Sequence, residues 1–199
     1  MGTYSLYHMP KSPILSIYKS TNTVFSTKDV ALLWQESDIR LVKKRLYRYA
    51  KSEKLYSIRR GFYAKDKNYN KFELATKIYT PSYISLETVL AKAGITFQLY
   101  NRTFVVSYLT REITADGQKY TFRKIKDSLL TNTAGVEQRE NYAIATSERA
   151  FLDTVYLNKN YHFDNLSNLD WKKVFEILPI YNNMRVEKAV KSYQNHQSK

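Results

Sequence analysis

At 199 residues with 43% apolar content, the chain can bury one large core or two small ones, which sets disorder aside. Its lack of cysteine excludes disulfide frameworks, thiolate chemistry and Cys-based zinc sites, and fits a reducing cytoplasm. The 32 Lys and Arg against 18 Asp and Glu give a net charge of +14, which favours a polyanionic partner, nucleic acid ahead of an anionic membrane. A sequence rich in Lys, Asn, Ile and Tyr also arises from AT-rich codon usage, so the placement of the charge has to decide.

Met1 to Ser20 carries Pro10 and Pro13 where a secretory peptide needs an unbroken apolar stretch, and no segment reaches membrane-spanning length. A cytoplasmic protein is expected. Ser12 before Pro13 reads as a helix start, with Ile14, Ile17 and Tyr18 on one face and an end near Ser20. Val24 and Phe25 form a brief extended segment. Ser26 then caps a second helix with Asp29 completing a capping box, and Phe25 and Val30 stand where a hydrophobic staple closes. That helix runs through Ala31, Leu32, Leu33 and Trp34. Gln35 and Glu36 are left for the turn before Ser37 and Asp38, which offer the next cap.

The third helix, Asp38 to about Ser52, repeats Ile39, Val42, Leu46, Tyr49 and Ala50 at helical spacing and buries that face. At about 100° per residue the opposite side presents Arg40, Lys44, Arg48 and Lys51, flanked by Lys43, Arg45 and Tyr47. An exposed basic face is often mere solubilising surface. The next segment tips the balance: Leu55 to Ile58, then Arg59-Arg60-Gly61, then Phe62 to Ala64 read as two short strands around a basic turn in which Gly61 takes a positive φ. This order is the winged helix-turn-helix plan, with the third helix as the recognition helix. Residues 1–66 hold 13 basic and 5 acidic groups, more than half of the net charge. Ser37, Arg40 and Lys44 are the candidates for base contacts. Lys43, Arg48 and Lys51 suit the phosphate backbone, and Arg59 and Arg60 at the wing suit a minor groove or a phosphate.

Asp66 to Lys71 reads as a short linker, placing the boundary between a domain of residues 1–66 and one of residues 67–199. Phe72 to Tyr79 has helical spacing. Pro81 to Ser85 leads into a helix, Leu86 to Ala93, capped by Gly94. Thr103 to Ile113 reads as a strand that returns through an Asp116-Gly117 turn as Gln118 to Lys126. Glu140 to Ala145 is a further strand, and Thr146 or Ser147 caps a helix that buries Phe151, Leu152, Val155 and Tyr156. A helix around Trp171, Val174, Phe175 and Leu178 breaks at Pro179, and Val186, Ala189, Val190 and Tyr193 mark a last one. The expected fold class is α+β: a winged helix-turn-helix, then a mixed α/β domain with a small sheet and C-terminal helices. Basic residues at Arg111, Lys119, Arg123, Lys124 and Lys126 allow a second nucleic-acid contact. With no aromatic platform evident beside them, a solvated face is the expectation.

Three segments carry a family resemblance: the third helix running into Leu55 to Ala64, Pro81 to Leu90, and Ala145 to Asp153. Over residues 20–157 the chain resembles the AbiEi antitoxins, partners of nucleotidyltransferase toxins in abortive-infection toxin-antitoxin pairs. The resemblance implies a winged domain that represses its own operon by binding operator DNA. It also implies a second domain that carries antitoxin activity, neutralising the toxin without a stable complex. Tyr83, Ser85, Glu148, Arg149 and Asp153 match motif positions, and none is assigned a catalytic role.

Two other readings stay open. Asp127, Glu137 and Arg139 loosely fit a carboxylate metal site, as in a DNA-targeted nuclease, but the region Thr131 to Glu137 reads as loop and the usual lysine is missing. His8, His162 and His196 are scattered and suggest neither a triad nor a metal site. A solitary winged-helix regulator is the other alternative. No cofactor and no metal are expected.

Overall fold

The computed structural model describes residues 12–98 and 100–197 of an α+β protein whose chain divides into two units, Met1–Lys71 and Phe72–Lys199. Among the described residues no helix is long and apolar enough to cross a membrane.

In the first unit Pro13 occupies the first position of α1 (Pro13–Lys19), which buries Ile17 and leaves Tyr18 largely exposed. Strand β1 (Val24–Ser26) feeds directly into α2 (Thr27–Trp34), where the Ser26 hydroxyl accepts from Asp29 N at 3.1 Å and the Asp29 carboxylate accepts from Ser26 N at 2.9 Å. Two orphan N–H groups are thereby satisfied. Ser26→Ala is expected to cost this unit about 1 kcal/mol, roughly 5 °C in a thermal melt followed by circular dichroism; an unchanged melting point would show that the box contributes nothing. The helix stops at Gln35, in the left-handed region at φ 51°, and Asp38 restarts the chain as α3 (Ile39–Lys51) by accepting from Arg40 N at 2.8 Å.

Strands β2 (Tyr56–Arg59) and β3 (Phe62–Ala64) complete an antiparallel sheet in the order β1-β3-β2. Three helices and a three-stranded sheet in this sequence make the winged helix-turn-helix. Ile17, Phe25, Val30, Trp34, Val42, Leu46 and Leu55 form its core, and the Trp34 indole N–H donates to Pro13 O at 2.8 Å, tying α1 to α2. Of the apolar run on α2, Leu32 is 79% exposed, so only Val30 and Trp34 serve the core fully. The expected linker is packed: Tyr69 is buried and its ring stacks on Tyr56, so Asp66 to Asn70 belong to the first unit.

The second unit contains α4 (Lys71–Ile78), β4 (Ser82–Ile84), α5 (Glu87–Lys92), β5 (Arg102–Ser107), β6 (Arg111–Ala115), β7 (Gln118–Lys124) and α6 (Asp127–Leu130). Then come β8 (Val136–Gln138), β9 (Ala143–Ala145), α7 (Ser147–Leu157), α8 (Trp171–Ile177), a short 3-10 turn (Leu178–Tyr181) and α9 (Met184–Gln197). Its sheet has six strands in the order β6-β7-β5-β4-β9-β8, wider than the expected small sheet. The Asp116-Gly117 turn forms as expected, with both residues at positive φ and Ala115 opposite Gln118. Thr103 to Ile113 is not one strand. The chain turns at Tyr108 to Thr110, and β7 inserts between β5 and β6, parallel to the first and antiparallel to the second. The Pro81 to Ser85 segment is itself a strand at the middle of the sheet, paired with β5 and β9, and part of the expected Thr131 to Glu137 loop is the edge strand β8.

Candidate nucleic-acid interface

Helix α3 is pinned from below by Val42 and Leu46, both fully buried, which fixes what its other side shows. Arg40, Lys43, Lys44, Tyr47, Arg48 and Lys51 are all exposed, as is Ser37 in the turn before it. Over 13 residues the helix is about 20 Å long, and these six side chains fall within an arc of roughly 140°. No acidic residue lies on the helix itself. Asp38 at its N-cap stands 3.6 Å from Arg40 Nε, and Glu36, which accepts from Asp38 N at 3.1 Å, lies 4.0 Å from Arg45 on the flank. Lys43, Lys44, Arg48 and Lys51 therefore form a cationic field without counter-charges on their own helix. A field of this kind concentrates polyanions at its surface.

At the wing, Arg60 and Gly61 make a two-residue turn with Arg59 opposite Phe62 across the strands. Gly61 is at φ +84°, a conformation that a side chain would strain. Arg60 is exposed at the tip. Arg59 departs from the expected placement: it is half-buried, 6.0 Å from the Phe62 ring centroid, with its Nη1 enclosed and without a hydrogen-bond partner. With strands of four and three residues the wing is short, and Arg60 is the cation its tip offers to solvent.

Four of the five motif residues of the second unit, Tyr83, Ser85, Arg149 and Asp153, meet in one place, and it is a closed one. Arg149 and Asp153, one helical turn apart on α7, are fully buried and paired at 3.1 Å. Asp153 accepts from Arg149 Nε and the Tyr181 hydroxyl on one oxygen, and from the Tyr83 and Ser85 hydroxyls on the other, at 2.6–3.1 Å. Arg149 places its remaining donors on the carbonyls of Leu129, Asn132 and Ala134 and on the Tyr83 oxygen. Burial pushes the Asp153 carboxyl up, against the pull of Arg149 and the three hydroxyls. Burial also raises both tyrosines, with Asp153 adding to it. Gly135 lets the backbone pass close: it sits at φ +70°, and a Cβ there would lie 2.8 Å from Arg149 Cβ. Every polar group of the pair is occupied, so this cluster holds the fold and presents no free group to a ligand. Glu148 stands apart, receiving Asp170 N at 3.3 Å. Tyr181, beyond Pro179 on the 3-10 turn, was not legible as a member.

Glu137 on β8 pairs with Arg139 at 2.6 Å, and Asp127 is exposed in the first turn of α6. Among the described residues no group of three or more His, Cys, Asp and Glu could hold a metal ion. His162 is exposed, 3.9 Å from Asp164, while His8 and the His196 side chain lie outside the described residues. No protein-family model matches the chain, and no curated protein matches it.

Proposed function

We propose that this protein is a DNA-binding antitoxin of the AbiEi type, a repressor of its own toxin-antitoxin operon that counteracts a nucleotidyltransferase toxin without a stable complex between the two. The observation that carries the DNA-binding part is the outer side of α3, where Arg40, Lys43, Lys44, Arg48 and Lys51 are exposed together on a helix held by a buried face. Laid in a major groove, the N-terminal residues Ser37, Arg40 and Lys44 meet base edges while Lys43, Arg48 and Lys51 meet phosphates. Tyr47, 64% exposed amid these cations, adds an apolar and hydroxyl contact to the same surface. Support for the antitoxin part comes from the motif residues of two segments, Tyr83 and Ser85 with Arg149 and Asp153, which assemble into one cluster as a shared structural signature would.

The test is fluorescence anisotropy on duplexes from the upstream region and on scrambled duplexes across a salt series. Phosphate contacts from Lys43, Arg48, Lys51 and Arg60 give a log-log slope of about −3 to −4, and Arg48→Gln or Lys51→Gln flattens it by about one. Binding that is insensitive to salt, or that survives these changes and is lost on replacing Lys188 and Lys191 of α9, overturns the assignment of the interface. Co-expression with the neighbouring toxin tests the second part: the Arg48→Gln/Lys51→Gln protein should still rescue growth, and a failure to rescue would tie neutralisation to DNA binding.

A further inference from the structure

Two adjoining depressions on the second unit, of about 390 and 180 Å3, share Arg102 and together form a furrow from α5 across the start of β5 and β7. Glu87, Lys92, Tyr100 and Gln118 line the larger, and Lys119 the smaller. Tyr100 stands two residues before Arg102 at the start of β5, and the parallel pairing of β5 with β7 brings it near the basic hairpin. We propose that this furrow binds a nucleotide, the base lying on Tyr100 with its N–H edge toward Glu87 and the phosphate among Lys92, Arg102 and Lys119.

Four observations select this chemistry. Glu87 is 8% exposed, lines the furrow, and has its Oε2 without a hydrogen-bond partner, so an N–H arriving along that wall supplies the donor it lacks. Burial pushes its carboxyl up, against a hydrogen bond from its own backbone N–H, the pull of Arg123 and a hydrogen bond from Tyr161, and a donor to Oε2 adds to these. The Tyr100 ring is held edge-on by Phe104 at 5.3 Å and remains 40% exposed, a fixed platform for a flat ligand. Arg102 is held by Glu112 at 2.8 Å, and Lys92 lies 5.2 Å from the Phe72 ring centroid, so both cations are positioned before a ligand arrives.

The same surroundings narrow the ligand. Lys92, Lys119 and Arg102, the last paired with Glu112 in the smaller depression, oppose a simple cation, and Glu87 opposes a simple anion. A molecule with donors at one end, a phosphate at the other and an aromatic plane between satisfies all of them. The larger depression is at the lower end of the volumes that enclose small ligands, which suits one nucleotide unit. That unit is either free or part of a single strand.

The full-length protein carrying Arg48→Gln and Lys51→Gln, which weaken the α3 surface, is titrated by calorimetry with AMP, GMP and CMP. In parallel, a labelled single-stranded RNA of roughly ten nucleotides is followed by anisotropy. Saturation by a monophosphate, weakened about tenfold by Tyr100→Ala and by Glu87→Gln, is the expected result. Circular dichroism establishes that each variant is folded, and Glu87→Gln keeps the side-chain shape should Tyr100→Ala disturb the loop. Binding of the strand alone, weakened by Tyr100→Ala, identifies the unit as part of a strand. Absence of both, or binding that neither Tyr100→Ala nor Glu87→Gln changes, overturns the proposal while leaving the role of α3 intact.

Discussion

Replacing Arg40, Lys44, Arg48 and Lys51 together by glutamine is expected to lower affinity by about 10² on random duplex DNA and by at least about 10³ on the operator at about 0.1 M salt. Each neutralised phosphate contact contributes about 0.9 to the salt exponent, which at that salt is close to tenfold per residue. All four side chains are exposed and glutamine is a good helix former, so α3 and its buried face should be unaffected. The single substitutions separate two kinds of contact. Arg48 or Lys51 should weaken every duplex alike, whereas Arg40 or Lys44 should cost about 1–3 kcal/mol on the operator and little on random DNA. Anisotropy on both duplexes reads all of these. A fourfold variant that binds within threefold of the parent would remove α3 from the interface.

The second large effect is on stability. Asp153→Ala leaves the Arg149 guanidinium buried with no counter-charge and removes the acceptor of three hydroxyls, a class of change that costs about 3–5 kcal/mol. For a unit of this size that corresponds to a loss of roughly 10–20 °C in melting temperature. Tyr181→Phe removes one of the hydrogen bonds and should cost only about 1 kcal/mol. Trp171, which packs edge-on against Phe151 at 5.8 Å, reports the transition by fluorescence in a Trp34→Phe background. If Asp153→Ala and Tyr181→Phe melt together within a degree or two of the parent, the cluster is not what secures this unit.

Features governed by near neighbours were the ones legible in the sequence. The Ser26 and Asp29 box, the Asp38 and Thr146 caps, the Asp116-Gly117 turn and the period of α3 all form, because each is decided within a few residues. Strand β9 falls within the expected strand Glu140 to Ala145, whereas β4 and β8 lie in segments that read as a helix lead-in and a loop. β4 and β9 exist because Ile84 meets Ile144 at the middle of the sheet and β5 completes the other side of β4; β8 exists because β9 then supplies its ladder. The exposed side of α3 followed from its buried side by geometry alone. The partial burial of Arg59, the joining of Tyr181 to Asp153, and the furrow at Tyr100 all depend on tertiary packing, which leaves no mark in local spacing.

The guanidinium of Arg149 also bears on how such a chain can diversify. Its donors reach the carbonyls of Leu129, Asn132 and Ala134, and through Asp153 the cluster extends to Tyr83 and Tyr181, nearly a hundred residues apart in sequence. Beyond it, Arg185 of α9 closes the last turn of α7 by donating to Val155 O at 3.0 Å and Tyr156 O at 2.7 Å. A break at Asn158, where the family resemblance stops, would therefore strip one donor from Asp153 and leave those carbonyls bare. The second unit is exchangeable between proteins only as one block that includes α9. The outer side of α3 carries no such obligations, so under the proposed DNA-binding role its target can change one substitution at a time while the cluster of the second unit is kept whole.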